Sequence, residues 1–229
     1  MDNRGFTLIE LMISATLGIV LVSGAYMVYN SQIQSNVVHE ELTATQQGLR
    51  AAMYMISKEL RKAGYDPDPN NAAGATILVA RDDRVRVSFV ENEDGLNNDS
   101  DAQTDEDDEL RMVTYELKDV NSDGNTDLVR TDDVATDVML AANVDQLEFF
   151  YTLNNGTLTV NPADPDDVRM VQVTLLGRTG RSGGSDSRTV SYSPPRPAGW
   201  TGPAAPVWTY TDAFRRVQLT NTVLVRNLM

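Results

Sequence analysis

Glu10 is the first residue whose type and place demand chemistry. From Phe6 to Tyr29 the chain is apolar or small, with Thr7, Ser14, Thr16 and Ser23 as mild polar interruptions and Glu10 as the only charge. An unpaired carboxylate inside an apolar membrane run costs about 2.5–3.5 kcal/mol or more, so it calls for a partner of opposite charge. A second candidate is the run Asp119, Asn121, Asp123, Asn125 and Asp127, which alternates around Gly124. Oxygen ligands at that spacing resemble the start of a calcium loop, with the Asn125 carbonyl joining the side chains. Its twelfth position holds Arg130 where such a loop has a bidentate Glu, and its flanks read as strands. A polar hairpin turn rich in Asp, Asn and Gly accounts for the same residues, and both readings stand. A third is the stretch Glu91 to Glu109, with ten acidic residues and no basic one. Such a run is a solvated face, a cation sink or a contact for a basic partner.

Other chemistry has little material. His39 is the one histidine and there is no cysteine, so His/Cys metal sites and thiol catalysis have no candidates. No pair of carboxylates sits in an apolar stretch with a nucleophile and base nearby, and the sequence reads as that of a non-enzyme. The net charge of −14 argues against a nucleic-acid-binding surface. Much of that acidity is local to residues 91–109.

The element that positions Glu10 is a helix. The 24 residues from Phe6 to Tyr29 are enough to cross a bilayer core of roughly 30 Å. A cleavable secretory signal would explain Ser23-Gly24-Ala25 as a small-x-small site, but the apolar run continues through Tyr26-Met27-Val28-Tyr29. An ordinary anchor explains the length and leaves Glu10 unexplained. Past Tyr29 the chain turns polar but keeps a stripe: Val38, Leu42, Leu49, Met53, Ile56 and Leu60 recur at spacings of three, four and seven. No Pro interrupts it, and Gly48 is its one weak point. Lys58, Arg61 and Lys62, then Gly64, Pro67 and Pro69, write the stop. The pattern predicts one helix from about Phe6 to Ala63, roughly 85–90 Å long.

From Ile77 the period changes to two. Val85, Val87 and Phe89 alternate with polar residues, as do Val113, Tyr115 and Leu117. Further strands are predicted at 128–131, 144–153, 157–160, 168–176, 188–192 and 215–226, with turn signals such as Asn154-Asn155-Gly156 between them. One long helix followed by many strands gives an α+β architecture, with the helix covering one face of an antiparallel sheet. The segments 91–109 and 178–207 are long and irregular, as functional or mobile loops are. The expected divisions are 6–29 for the membrane half of the helix, 30–64 for its amphipathic half, and 65–229 for a β-rich domain.

Arg4-Gly5 followed by Phe6-Thr7-Leu8-Ile9-Glu10 resembles the class III leader and methylation site of type IV pilins and pseudopilins. The resemblance implies that residues 1–5 are a leader, that prepilin peptidase cuts between Gly5 and Phe6, and that the new Phe6 amine is methylated. It also implies that Glu10, in the fifth mature position, pairs with the Phe6 amine of a neighbouring pilin or pseudopilin subunit. The subunit would wait in the bacterial inner membrane as a single pass, amino terminus in the cytoplasm and globular domain in the periplasm or, in a filament, outside. Arg4 before the run and the absence of Lys or Arg from Ala25 to Leu49 agree with that orientation. The lack of a kinking Pro is similar to minor rather than major pilins. The helix end Gln47–Tyr65 and the chain end Phe214–Asn227 look similar to PilW-type minor pilins and the J-type minor pseudopilin of type II secretion. The function so implied is a minor subunit in assembly or initiation of a type IV pilus. The alternatives are a type II secretion pseudopilin and an anchored adhesive module using the same export route.

Overall fold

Helix α1 runs unbroken over Leu8–Lys62 in the computed structural model, which describes residues 7–67, 74–91, 110–182, 187–202 and 204–228. At 1.5 Å per residue it is about 80 Å long. Thr7 is the N-cap, in extended backbone with its hydroxyl accepting the Glu10 N–H at 3.3 Å, so the helix begins two residues later than the apolar pattern predicts. Within the apolar run the Thr16 hydroxyl bonds back to the Met12 carbonyl at 2.8 Å, which removes an unsatisfied polar group from an apolar surface. Gly48 does not interrupt the helix.

Among the described residues the β-rich part forms two antiparallel sheets and a two-stranded ribbon. Strands β1 (Ile77–Ala80), β2 (Val85–Val90), β3 (Leu110–Lys118), β4 (Asp127–Thr131) and β5 (Val138–Ala141) form an antiparallel meander in that order. Strands β6 (Val144–Leu153), β7 (Leu158–Thr159), β8 (Val168–Arg178) and β11 (Arg216–Leu224) form the second sheet, ordered β11-β8-β6-β7. Between β8 and β11 the chain makes a two-stranded ribbon of β9 (Arg188–Tyr192) and β10 (Trp208–Asp212). The helix lies against both sheets, touching β11, β8, β5 and β2.

The helical stripe supplies the centre of the core. Leu49, Ala52, Met53, Ile56 and Leu60 are buried among Val87, Phe89, Val113 and Tyr115 of the first sheet and Phe149, Val173 and Leu175 of the second. Leu49 approaches β8 so closely that a Cβ at Gly177 would lie 2.8 Å from its Cδ1, which explains a glycine inside a central strand. The helix end is closed from the far end of the chain. The Asn227 side-chain amide donates to the carbonyls of Arg61, Lys62 and Ala63 at 3.0, 3.3 and 3.4 Å, satisfying groups that a helix terminus leaves open. Gly64 takes the left-handed backbone expected of it, with φ +76. Its N–H goes to the Ser88 carbonyl of β2 rather than back to the helix.

Candidate assembly interface on the amino-terminal helix

Among the described residues the first half of α1 has no packing partner. Every residue from Leu8 to Tyr29 is exposed except the half-buried Gly18, including Leu8, Ile9, Leu11, Leu21 and Val28 at 64–77%. The helix is long and apolar enough to cross a membrane. Among the described residues the Glu10 carboxylate has no hydrogen-bond or ion-pair partner, while the Thr7 hydroxyl accepts its backbone N–H. Gly5 and Phe6, the expected cut and methylation positions, lie outside the described residues.

The second half is held by charge as well as by packing. The Tyr115 hydroxyl of β3 donates to the Glu59 carboxylate, which also takes Arg130 of β4 through Nε at 3.1 Å and Nη2 at 3.0 Å. Arg130 continues to Asp132, and Asp132 to Arg111 of β3 at 3.1 Å. Arg111 reaches Glu91 at 2.6 Å, and Glu91 reaches Lys62, again on the helix. The chain of contacts therefore leaves α1 at Glu59, crosses the first sheet and returns at Lys62, one turn on. Burial raises the Asp132 carboxyl, but the Ala135 N–H and the Arg130 and Arg111 guanidiniums outweigh it and hold it at about 2. The same balance, burial against Lys62 and Arg111, leaves Glu91 below the usual carboxylate range. Burial and the adjacent Glu59 carboxylate push the Tyr115 phenol well up, so it stays a hydrogen-bond donor. On the second sheet Asn221 of β11 donates to the buried Ser57 hydroxyl at 2.9 Å.

The expected calcium residues form a turn held by its own backbone. Asp119 accepts the Asp123 and Gly124 N–H groups at 3.2 and 3.0 Å, and Asn121 accepts that of Asp123 at 3.1 Å. Asp123 accepts the Asn125 N–H at 2.8 Å, the first cause of its lowered pKa. Asp127 is separate from these bonds. It is fully buried at the start of β4, with Oδ1 accepting the Asn143 N–H at 2.9 Å. Among the described residues no three His, Cys, Asp or Glu side chains gather where they could hold a metal ion. Ser122 with φ 58 and Gly124 with φ 80 let the chain reverse between β3 and β4.

The acidic stretch lies outside the described residues from position 92 to 109, and only Glu91 at its start is placed. Much of the second irregular segment is ordered by contacts that the sequence pattern did not reveal. Arg196 lies on the outer face of the second sheet, bidentate to Glu148 at 2.7 and 2.7 Å and 4.9 Å from the Phe150 ring. Trp200 meets Phe150 edge-on with ring centroids 5.0 Å apart. The alternation of Glu148 and Phe150 with the core-facing Leu147, Phe149 and Tyr151 was the available signal: both faces of β6 are covered, so both must find partners. His39 is exposed on α1.

Comparison with known proteins bears on the amino terminus. Residues 1–26 match the prokaryotic N-terminal methylation motif. No curated protein matches the chain. Among solved structures the chain is similar to a type IV-like pilin from Thermus thermophilus, with 18% sequence identity, coverage of 83% of this chain and 96% of that one, and a TM-score of 0.49.

Proposed function

We propose that this pilin-like chain, which carries the prokaryotic N-terminal methylation motif over residues 1–26, is a minor subunit in the assembly or initiation of a type IV pilus. In this reading it inserts in the inner membrane through residues 8–29, is cut after Gly5 by prepilin peptidase, and receives a methyl group on the Phe6 amine. The helix is then drawn into a bundle of similar helices from other subunits. One observation carries the reading: a carboxylate without a partner among the described residues stands in an exposed apolar helix within the methylation motif. Cleavage creates a cation four residues away in sequence, and the corresponding cation of a neighbour can neutralise Glu10 when two helices pack with a stagger. A buried pair of this kind fixes register, because a mismatched stagger leaves both charges bare. The β-rich domain, pinned to Glu59 and Lys62, follows the helix into the assembly as one body.

Processing tests the reading. A peptidase that must approach the backbone at Gly5 tolerates Gly5→Ala and is obstructed by Gly5→Val. Mass spectrometry of the amino terminus should then find methylated Phe6 in wild type and Gly5→Ala, and uncut precursor in Gly5→Val. Normal Phe6 termini on Gly5→Val protein would rule the leader assignment out.

A further inference from the structure

The membrane half of α1 ends in a stretch that is poor in cations, and the β-rich domain brings cations to it. From Ala25 to Leu49 the helix carries Glu40 and Glu41 and no Lys or Arg. Beside that stretch stands the foot of the second sheet, where the ribbon meets the start of β11. Four of its arginines fall into two groups. Arg178 and Arg216 are neutralised by Asp145 at 3.1 and 2.5 Å, and Arg216 also by Asp212 at 2.8 Å. Arg188 and Arg215 are exposed, and among the described residues neither has an ion-pair partner.

These two cations share a concavity of about 370 Å³ with Tyr192, Asp212 and Phe214. Arg215 also lines a groove of about 460 Å³ with Ser31, Gln34, Ser35 and Val38 of α1. The foot is tied to the helix here, since Arg181 pairs with Glu41 at 3.4 Å and the Thr45 hydroxyl donates to the Arg178 carbonyl at 3.4 Å. Gln34 lies five residues past Tyr29, about 7.5 Å along the helix. The headgroup layer beyond a bilayer core of about 30 Å is itself about 5–8 Å deep. Arg215 therefore reaches the level of the headgroups whenever residues 8–29 occupy the bilayer.

We infer that Arg188 and Arg215 form a docking foot for anionic phospholipid headgroups, which steadies the domain on the outer surface of the membrane while the subunit waits to be assembled. Cations near a membrane of negative surface potential are attracted within a Debye length, and a guanidinium suits the phosphate diester because its N–H groups match two oxygens. Most of the chain, at net charge −14, is repelled by the same surface, so the foot also orients the domain. The inference rests on the reading of α1 as a membrane helix.

The absence of cysteine allows a single reporter. Full-length chain with Ala213→Cys, beside Arg215 in the concavity, is reconstituted in nanodiscs of phosphatidylcholine alone or with an equal part of phosphatidylglycerol, and modified with a water-soluble maleimide. Labelling should be several-fold slower in the anionic discs, and high salt should restore it. Adding Arg188→Glu and Arg215→Glu should abolish the difference between lipids. Free inorganic phosphate added to phosphatidylcholine discs should not reproduce the slowing. Equal rates in the two lipids with the chain co-eluting with the discs, slowing that survives both charge reversals, or slowing by free phosphate would each overturn the foot. A chain that elutes apart from the discs would overturn the membrane reading and the foot with it.

Discussion

Glu10 and Glu59 are carboxylates on one continuous helix, in opposite circumstances. Glu59 sits where the helix crosses a sheet and is met by a tyrosine hydroxyl and an arginine from its own chain. Glu10 sits where the helix stands alone, and among the described residues no side chain meets it. The surfaces around them differ in the same way: Leu49, Ile56 and Leu60 are fully covered, while Leu8, Leu11 and Leu21 are bare. The difference teaches that α1 has two sets of partners. One set is encoded within the chain and fixes the domain to the rod, and on the function proposed above the other is supplied by lipid and by neighbouring subunits.

The largest expected effect breaks the first set. Arg130→Ala leaves Glu59 and Asp132 largely buried without their main counter-ion, which costs about 3–5 kcal/mol. Thermal unfolding of the full chain in detergent should show a clearly lowered Tm for Arg130→Ala and an unchanged one for Glu10→Val. Equal losses in the two variants would erase the distinction between the carboxylates.

A smaller effect follows from pH. Asp132 titrates at about 2 in the folded chain against an ordinary 3.8, so the folded state binds fewer protons than the unfolded one. Its contribution is present in full above the unfolded value and is lost as pH falls from about 4 through about 2. The shift corresponds to about 2 kcal/mol. Chemical denaturation at pH 5 and pH 2.5 should show most of that loss, and Asp132→Asn should be less sensitive over the same interval.

The smallest effect concerns calcium. A turn whose carboxylates already accept backbone N–H groups does not need a cation to close, so EGTA should leave the Tm of wild type unchanged, and in Asp123→Ala should add nothing to the loss of the Asn125 N–H bond. A calcium site filled at a hundredfold excess over Kd would instead add about 2.7 kcal/mol, and a Tm that falls on chelation and loses that sensitivity in Asp123→Ala would decide for the metal reading.

What the sequence made legible was mostly local. The stripe Leu49, Met53, Ile56, Leu60 and the stop at Gly64 give the helix and its buried face, because a helix is built from contacts three and four residues apart. The alternation in β2, β3, β6 and β8 is plain for the same reason. The strands β5 and β10 were not expected, since their residues are short mixed runs and their pairing with β4 and β9 supplies what alternation does not. The expected last strand, 215–226, is shortened to Arg216–Leu224, where pairing with β8 ends. The links from Glu59 to Arg130, 71 residues apart, from Asn227 to the helix end and from Arg196 to Glu148 join charges and amides that are unremarkable in sequence. Glu10 was legible because a charge in an apolar run is improbable without a use, whereas Glu59 among polar helix neighbours is ordinary.

Incorporation of Glu10→Val into filaments tests the central claim most directly. The substitution removes the charge and keeps the apolar run, so insertion and cleavage after Gly5 should persist. In the assembly the neighbour's amine would lose its counter-ion, a penalty of about 3–5 kcal/mol, and Glu10→Gln, which keeps a hydrogen bond, should fall between. The measurement compares processed subunit in membranes with subunit in sheared filaments, or filament number where the subunit acts at initiation. The account predicts Glu10→Val abundant in membranes and depleted from filaments, or few filaments formed. Glu10→Val that supports assembly at wild-type level would contradict it.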